Sequence, residues 1–213
     1  MDKYKNEIIR LHMEKTAEAL RKNNFWAQCA DNASEALEVV ESLLAEGDIV
    51  SCGGSMTLFE IGAIDLLRSE KYEFLDRYKE GLHRDEIEEI FKKTFYADVY
   101  LTSSNAITED GELYNVDGTC NRIAAMLYGP KSVIVVAGYN KIVKDLDAAA
   151  QRVKQIAAPA NALRLNVPTP CVKTGYCIDC KTDARICANY TTFTRQRVKD
   201  RMKVILVGEE LGY

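Results

Sequence analysis

Histidine is scarce in this sequence, with only His12 and His83 among 213 residues. Neither lies near a motif that offers a carboxylate partner, so a serine-type catalytic triad is not expected. Uninterrupted apolar runs of about 18 or more residues are also missing, which argues against a membrane-spanning helix. The first residues form a charged amphipathic segment without the apolar centre of a signal peptide, which predicts a cytoplasmic protein.

The sequence also has no excess of positive charge. The chain has 28 Lys and Arg against 32 Asp and Glu, for a net charge of -4, so it has no electrostatic footprint for nucleic acid. A hydrophobic content of 47% and a charged content of 28% are typical of a globular protein. The length predicts a single domain over residues 1–213, with a small Cys-rich loop or subdomain over residues 159–190.

Apolar β-type segments alternate with segments of helical periodicity along the chain, and no internal repeat is present. Strands are predicted over residues 25–30, 48–52, 72–75, 97–102, 132–137 and 203–207, and helices over residues 3–22, 56–67, 84–95, 119–127, 144–156 and 193–201. Asp110-Gly111 predicts a hairpin turn, and the segment 159–170, with three prolines, predicts irregular structure. This alternation predicts an α/β fold, a mostly parallel sheet flanked by helices.

A glycine turn follows the second predicted strand. Gly53, Gly54 and Ser55 stand between that strand and a helix, an arrangement that directs backbone N–H groups at an anion. Open parallel sheets bind ligands at such carboxyl edges. The alternative is that the glycines only form a tight turn and that Ser55 only caps the helix.

A second polar segment follows the strand that ends near residue 102. We predict ligand contacts from Ser104, Asn105, Asp117, Gly118 and Thr119, because a small polar turn and a polar helix start would meet at the same sheet edge. Alternatively, Asp117 or Thr119 is only an N-cap and Asn105 only a turn former.

Cys52 ends a predicted strand immediately before the glycine turn. There it could act as a nucleophile or acid, with a pKa lowered by the helix that follows. The alternative is a small buried apolar residue. Cys29 and Cys120 are assigned to packing.

Four of the seven cysteines, Cys171, Cys177, Cys180 and Cys187, fall within seventeen residues, called here the cysteine window (171–187). The segment is polar and rich in turns, with Gly175 suited to a sharp turn. Four thiolates in one loop favour an iron–sulfur cluster or a zinc ion, although the C-x5-C-x2-C-x6-C spacing matches neither standard pattern. A redox-active pair, Cys177 with Cys180, or unconnected thiols are the alternatives.

Several motifs together resemble the LUD, or lactate-utilisation, domain family. They are Gly53-Gly-Ser-Met-Thr-Leu-Phe-Glu-Ile-Gly62, Ala97-Asp-Val99, Asn105-Ala-Ile107, Gly118-Thr119 and Val135-Val-Ala-Gly-Tyr-Asn-Lys-Ile-Val143. The resemblance covers nearly the whole chain. It implies the fold shared by sugar-phosphate isomerases, CoA transferases and glucosamine-phosphate deaminase relatives. It also implies a role beside iron–sulfur subunits that oxidise lactate, which favours a cluster over zinc.

The run from Ser103 to Thr119 is similar, more distantly, to a segment of methylthioribose-phosphate isomerases and of regulatory subunits of the translation-initiation exchange factor. The likeness places Cys52 at the position of the isomerases' catalytic cysteine. Asn105 stands where their catalytic aspartate would be, and an amide does not exchange a proton as a carboxylate does. Isomerisation by that mechanism is therefore not expected.

The first functional hypothesis is a LUD-type protein of organic-acid oxidation. It binds a small anionic metabolite at the sheet edge and a cluster or metal at the cysteine window, and it works with an iron–sulfur oxidoreductase partner. The second is a stand-alone isomerase or transferase on a sugar phosphate or CoA ester, with Cys52 and Asn105 in its site. The third is a non-catalytic ligand-binding subunit. Neither nucleic acid nor membrane is an expected partner, and a homo-oligomer is compatible with all three.

Overall fold

The computed structural model describes residues 2–213. Its α-helices are α1 (Lys3–Lys22), α2 (Ala33–Ser42), α3 (Met56–Glu60), α4 (Ala63–Leu67), α5 (Arg84–Lys93), α6 (Asn121–Leu127), α7 (Leu146–Arg152), α8 (Ala158–Arg164) and α9 (Cys171–Thr174). Short 3-10 turns cover Thr94–Tyr96 and Tyr139–Lys141, and a π-helical turn over Val153–Ala157 joins α7 to α8.

The strands form two sheets. They are β1 (Trp26–Ala30), β2 (Ile49–Cys52), β3 (Glu73–Leu75), β4 (Val99–Thr102), β5 (Ala106–Thr108), β6 (Leu113–Asp117), β7 (Ser132–Gly138), β8 (Ile142–Val143), β9 (Asn189–Phe193) and β10 (Met202–Val207). The main sheet has the order β1-β10-β7-β4-β2-β3, and all of its neighbouring strands are parallel. The predicted α/β fold is confirmed.

The strands of the main sheet are buried because both of its faces are covered. Helices α2, α3 and α4 pack on one face around Leu58, Leu101 and Ile134, and helices α1 and α6 pack on the other around Leu20, Tyr100 and Met126. Strand β7 shows the expected sequence for this environment, because Ser132-Val-Ile-Val-Val-Ala-Gly138 is an almost unbroken apolar run. No helix within residues 2–213 combines the length and apolar character needed to cross a membrane.

The second sheet has the order β8-β5-β6-β9. Its centre is the predicted hairpin, in which Ile107 pairs with Leu113 across the Asp110-Gly111 turn. Gly111 has a φ of +79°, and a Cβ there would lie 2.5 Å from the backbone of α1, so a glycine is required. This sheet extends from the carboxyl end of β4 and carries the polar segment that the sequence singles out.

Two predictions for the C-terminal third are wrong. The predicted helix over 193–201 is replaced by strand β9 and an irregular segment, because Asn189-Tyr-Thr-Thr-Phe193 is β-branched and aromatic and pairs with β6. The predicted irregular segment 159–170 begins instead with helix α8, in which Pro159 occupies the first turn.

The predicted helix over 56–67 is also interrupted. Gly62 has a φ of +77° and separates α3 from α4, a left-handed conformation that glycine adopts without a steric penalty. The break lets Ile61, Ala63 and Ile64 all turn into the core beneath the main sheet.

Candidate functional site

A cleft of about 300 Å³ opens at the carboxyl edge of the main sheet. Its walls come from the loops after β2, β4 and β6, from Lys141 beyond the end of β7, from the π-helical turn and α8, and from the cysteine window. Strand ends that point to one sheet edge bring these loops together, as expected for a parallel sheet.

Most of the predicted ligand-binding residues line this one cleft. They are Gly54, Ser55, Ser104, Asn105, Asp117, Gly118 and Thr119. Two segments separated by about fifty residues therefore meet, as their positions after neighbouring strands predict. Ligand contact by these residues stays a prediction, but the structure brings them together.

Cys52 and Gly53 do not line the cleft. Cys52 is 3% exposed and packs in the core among residues such as Val50, Leu58 and Leu101. Burial raises the pKa of its thiol to about 12, with Arg77 as a weaker opposing influence. The assignment of Cys52 as a nucleophile has no support here, because a protonated thiol outside the cleft cannot reach a ligand in it.

Gly53 has a packing role. A Cβ at this position would lie 2.8 Å from the hydroxyl of Tyr100 and 2.9 Å from Oγ1 of Thr102. Its N–H donates to the carbonyl of Leu101 at 2.9 Å. The residue thus lets the turn after β2 lie directly against β4.

Arg122 forms the base of the cleft and is fully enclosed by hydrogen bonds. It donates to the carbonyls of Ser103 and Val116 at 3.2 and 2.9 Å. It also donates to the side-chain oxygens of Asn105 and Asn115 at 3.1 and 2.6 Å. Burial lowers the pKa of Arg122, and Asp117 opposes this shift. The N–H of Val116 also donates to the side-chain oxygen of Asn105 at 2.9 Å. Asn105 therefore connects Arg122 to strand β6.

Lys141 is buried deeper in the cleft, with 2% of its surface exposed. Its Nζ lies 2.9 Å from Oγ1 of Thr57 and 2.9 Å from Oγ of Ser103. Burial lowers its pKa to about 7, with Arg152 contributing in the same direction and Glu60 opposing. An amine with a lowered pKa, with hydroxyl partners and no carboxylate within 4 Å among the described residues, is an unusual feature.

Positive charge dominates the cleft lining. Three arginines, Arg77, Arg122 and Arg164, line it against the single side-chain carboxylate of Asp117, and burial reduces the charge of the fourth basic residue, Lys141. Arg77 lies over the rings of Tyr78 and Phe91, at 5.4 and 4.7 Å, and Arg164 donates to the amide oxygen of Asn161 at 3.2 and 2.8 Å. Within residues 2–213 neither Arg77 nor Arg164 forms an ion pair. The cleft therefore attracts anions.

Two further features point to a ligand. Ser55 has a buried hydroxyl without a hydrogen-bond partner, and Ser55 lines the cleft. A buried polar atom left unpaired costs about 1 to 3 kcal/mol, which a bound ligand would recover. Val153 and Ala157 line the cleft from the π-helical turn, a conformation that is frequent at functional sites.

The cysteine window lies directly against this cleft. All four of its cysteines line a second, much smaller pocket of about 20 Å³, and Ile186 and Cys187 line both pockets. Gly118 allows this close approach, because a Cβ there would lie 3.2 Å from the carbonyl oxygen of Ile186. The window is therefore a wall of the cleft.

Arg185 holds the window together. Its guanidinium donates to the carbonyls of Cys180 and Cys187, to the carboxylate of Asp179 at 3.0 Å and to the hydroxyl of Tyr190 at 3.2 Å. Gly175 ends helix α9 with a φ of +78°, the sharp turn that its position predicts.

The sulfur atoms have neighbours suited to thiolates. The N–H of Asp179 donates to Sγ of Cys177 at 3.3 Å, and Oγ1 of Thr169 lies 3.2 Å from Sγ of Cys171. Burial raises the pKa of Cys187 to about 11, and the other three cysteines of the window add to the shift. Four cysteines that line one pocket are a donor set of the kind that binds zinc or iron. As the side chains stand, however, no three His, Cys, Asp or Glu residues within 2–213 are arranged to hold one.

Sequence reasoning missed Arg122, Lys141, Arg164 and Tyr213 as cleft residues. Lys141 had a usable signal, since it follows the carboxyl end of β7, the strand beside β4, by three residues. Arg164 and Tyr213 had none, because α8 and the C-terminus reach the cleft only through tertiary packing.

Comparisons with known proteins agree with this architecture. A family model described as the LUD domain matches residues 13–207. The structure is similar to that of a DUF162 family protein from Deinococcus radiodurans, with a TM-score of 0.53, 13% identity, and coverage of 93% of this chain and 98% of that chain. At this identity the match shows a shared fold.

A weaker match is to eIF2B beta from Chaetomium thermophilum, with a TM-score of 0.35, 17% identity, and coverage of 51% of this chain and 42% of that chain. No curated protein sequence matches the chain. The family model spans every strand of the main sheet and the whole cysteine window. The chain belongs to the LUD domain family.

Proposed function

We propose that the cleft binds a small organic acid through its carboxylate. The observation that carries this proposal is the set of three arginines around a cleft with one side-chain carboxylate. Arg77 and Arg164, which form no ion pair within residues 2–213, supply charge at its rim, and the unpaired hydroxyl of Ser55 supplies a further polar contact. Guanidinium groups recognise carboxylates in a bidentate manner, which suits an anion of this size.

The second part of the proposal is that Cys171, Cys177, Cys180 and Cys187 hold an iron–sulfur cluster or a zinc ion. All four residues line one small pocket, which supports a common centre. Binding requires the four side chains to turn toward that centre. A cluster would supply one-electron transfer, and zinc would supply only a structural crosslink. In either case Arg185 and the N–H of Asp179 orient the ligand loop.

Together these features suggest a component of organic-acid oxidation. Lactate utilisation, from which the family takes its name, requires a 2-hydroxy acid and an electron acceptor. A cleft for the acid that shares a wall with a thiolate centre suits that requirement. In this proposal the protein acts in the cytoplasm beside an iron–sulfur oxidoreductase partner, which carries out the dehydrogenation.

Thermal unfolding tests the anion site. We expect L-lactate and pyruvate to raise the melting temperature, and the uncharged amide lactamide to leave it unchanged. Arg77→Met and Arg164→Met should each weaken the effect. Arg84→Met is the matched control, because Arg84 is an exposed residue of α5 that pairs only with Glu88. Equal stabilisation by lactate and lactamide would contradict the proposal.

Metal analysis and an absorption spectrum of anaerobically purified protein test the thiolate site. Brown protein with iron and sulfide indicates a cluster, and colourless protein with one zinc per chain indicates a structural ion. Cys177→Ser should remove the metal, whereas Cys29→Ser, at a half-buried cysteine outside the window, should retain it. Protein without bound metal, in which all four window thiols react with a thiol reagent, would refute this part.

A further inference from the structure

The cleft contains a pair of groups that the anion-binding proposal does not use. Ser103 directly follows β4 and Lys141 ends the short turn after β7, so neighbouring parallel strands deliver both to the same edge. Both line the cleft, and Oγ of Ser103 lies 2.9 Å from Nζ of Lys141. Ser103 is 7% exposed and Lys141 is 2% exposed, so the pair is screened from bulk water.

Hydrogen bonds hold Lys141 between two hydroxyl groups. The hydroxyl of Thr57 donates to the carbonyl of Leu211 at 3.4 Å, so its oxygen is free to accept from Nζ at 2.9 Å. Nζ also donates to Oγ of Ser103, and the hydroxyl of Ser103 donates to the carbonyl of Ser104 at 3.4 Å. Proton transfer from Ser103 requires the uncharged amine and this hydroxyl to exchange donor and acceptor roles, which rotation of their hydrogens allows. A nucleophile, a base within hydrogen-bond reach and a third group that orients the base form the recurring pattern of covalent catalysis.

We propose that Ser103 and Lys141 form a nucleophile and general-base pair that cleaves esters or thioesters of small anionic acids. The acyl class follows from the chemistry of a serine activated by a lysine. The choice of an anionic acyl group rests on the anion binding proposed above, because Arg77, Arg122 and Arg164 line the same cleft.

The reaction proceeds in two balanced stages. Oγ of Ser103 bonds to the acyl carbon as its proton passes to Nζ of Lys141. The intermediate then expels the alcohol or thiol, which takes that proton as its bond to the acyl carbon breaks. In the second stage water attacks the acyl-serine, its proton passes through Nζ back to Oγ, and the free acid leaves.

The charged groups around Lys141 favour its role as a base. Burial, Arg152 and Arg122 all disfavour the ammonium form of Lys141. Glu60 favours the ammonium form, but its influence is weaker than that of burial. With a pKa of about 7, the amine gains reactivity as the pH rises through neutrality.

A fluorophosphonate probe tests the pair directly. We expect a single adduct on the wild-type protein, mapped by peptide mass spectrometry to Ser103, with a labelling rate that increases between pH 6 and pH 8. Ser103→Ala should abolish the adduct, and Lys141→Met should slow labelling by about 100-fold or more, the usual contribution of a general base.

Matched controls separate catalysis from folding. Ser42→Ala removes a hydroxyl that bonds only to the carbonyl of Val39, and Lys131→Met removes an exposed lysine that pairs with Asp98, so both should label at the wild-type rate. If Lys141→Met fails to fold, Lys141→Arg keeps hydrogen-bond donors at this position but lacks a usable lone pair, and it should label equally slowly.

Hydrolysis supplies the second readout. The protein should cleave the p-nitrophenyl monoester of succinic acid faster than p-nitrophenyl acetate, and Ser103→Ala should do neither. The proposal is overturned if the wild-type protein does not label, if the adduct maps to another residue, or if Lys141→Met reacts at the wild-type rate. Stabilisation by lactate is measured separately, so a negative labelling result leaves the anion site standing.

Discussion

The cleft and the cysteine window share a wall but are stabilised in different ways. The base of the cleft is formed by strand ends and by Arg122, which hydrogen-bonds to four groups on strand β6 and on the loop after β4. The window contains the four-residue helix α9 and otherwise irregular backbone, and Arg185 is its main brace. The cleft is therefore pre-formed by the fold, whereas the order of the window depends on few interactions and on what its thiols bind.

The largest expected difference is between the effects of Arg122 and Arg185 on the free energy of unfolding. Arg122→Met leaves several buried oxygens without donors, at about 1 to 3 kcal/mol each, so we expect a loss of roughly 3 kcal/mol or more of unfolding free energy. Arg185→Met should change global stability by about 0.5 kcal/mol or less, since its partners lie in the half-exposed window. Urea denaturation measures both. Equal losses would show that the window belongs to the same cooperative unit as the sheet.

The second effect is the pH dependence that Lys141 confers on the cleft. Its pKa is lowered to about 7 in the folded protein from an ordinary value of 10.5, so the unfolded chain binds more protons between these values. Stability from this group should therefore rise with pH across that range, by up to about 1.4 kcal/mol per pH unit. Lys141→Met should lose this dependence, and Lys131→Met should keep it. Parallel stability curves for wild type and Lys141→Met would contradict the assignment.

The third effect concerns the window alone. If the four cysteines hold a metal as proposed, Arg185→Met should weaken its affinity by about 10-fold to 100-fold, the usual cost of losing an outer-shell partner. Competition with a chelator measures this, and proteolysis within residues 171–187 should accelerate in parallel. Unchanged metal affinity would show that Arg185 is not needed to orient the ligand loop.

The smallest effect tests the contact between the two regions. Gly118→Ala places a Cβ 3.2 Å from the carbonyl of Ile186 and should cost about 1 kcal/mol, with increased hydrogen exchange confined to the window. Gly54→Ala is the control, since a Cβ there meets nothing closer than 4.0 Å. Equal exchange in both variants would mean that the window does not rest on Gly118.

The sequence predicts the main sheet well because its strands are buried on both faces and read as apolar runs. Strands β2, β4, β7 and β10 all fall within one or two residues of their predicted bounds. It predicts the loops that meet at the cleft for a related reason, since residues after parallel strands must share an edge.

The failures have a common physical origin. The helix predicted over 193–201 is instead an irregular segment after β9, held by contacts with distant parts of the chain, in which Arg195 donates to the carbonyl of Lys22 and Arg201 to that of Met126. Lys141 was overlooked because its lowered pKa comes from burial, beside Thr57 and Ser103, which are distant from it in sequence. Local patterns carry no record of such contacts.

The wall formed by Ile186 and Cys187 has a thermodynamic consequence. Any shift of these two residues changes the shape of both pockets at once, so the proposed occupants of the two pockets would be coupled through them. Linkage requires this influence to be reciprocal. By whatever factor an organic acid in the cleft changes the affinity of the thiolate site, a metal in that site changes the affinity for the acid by the same factor.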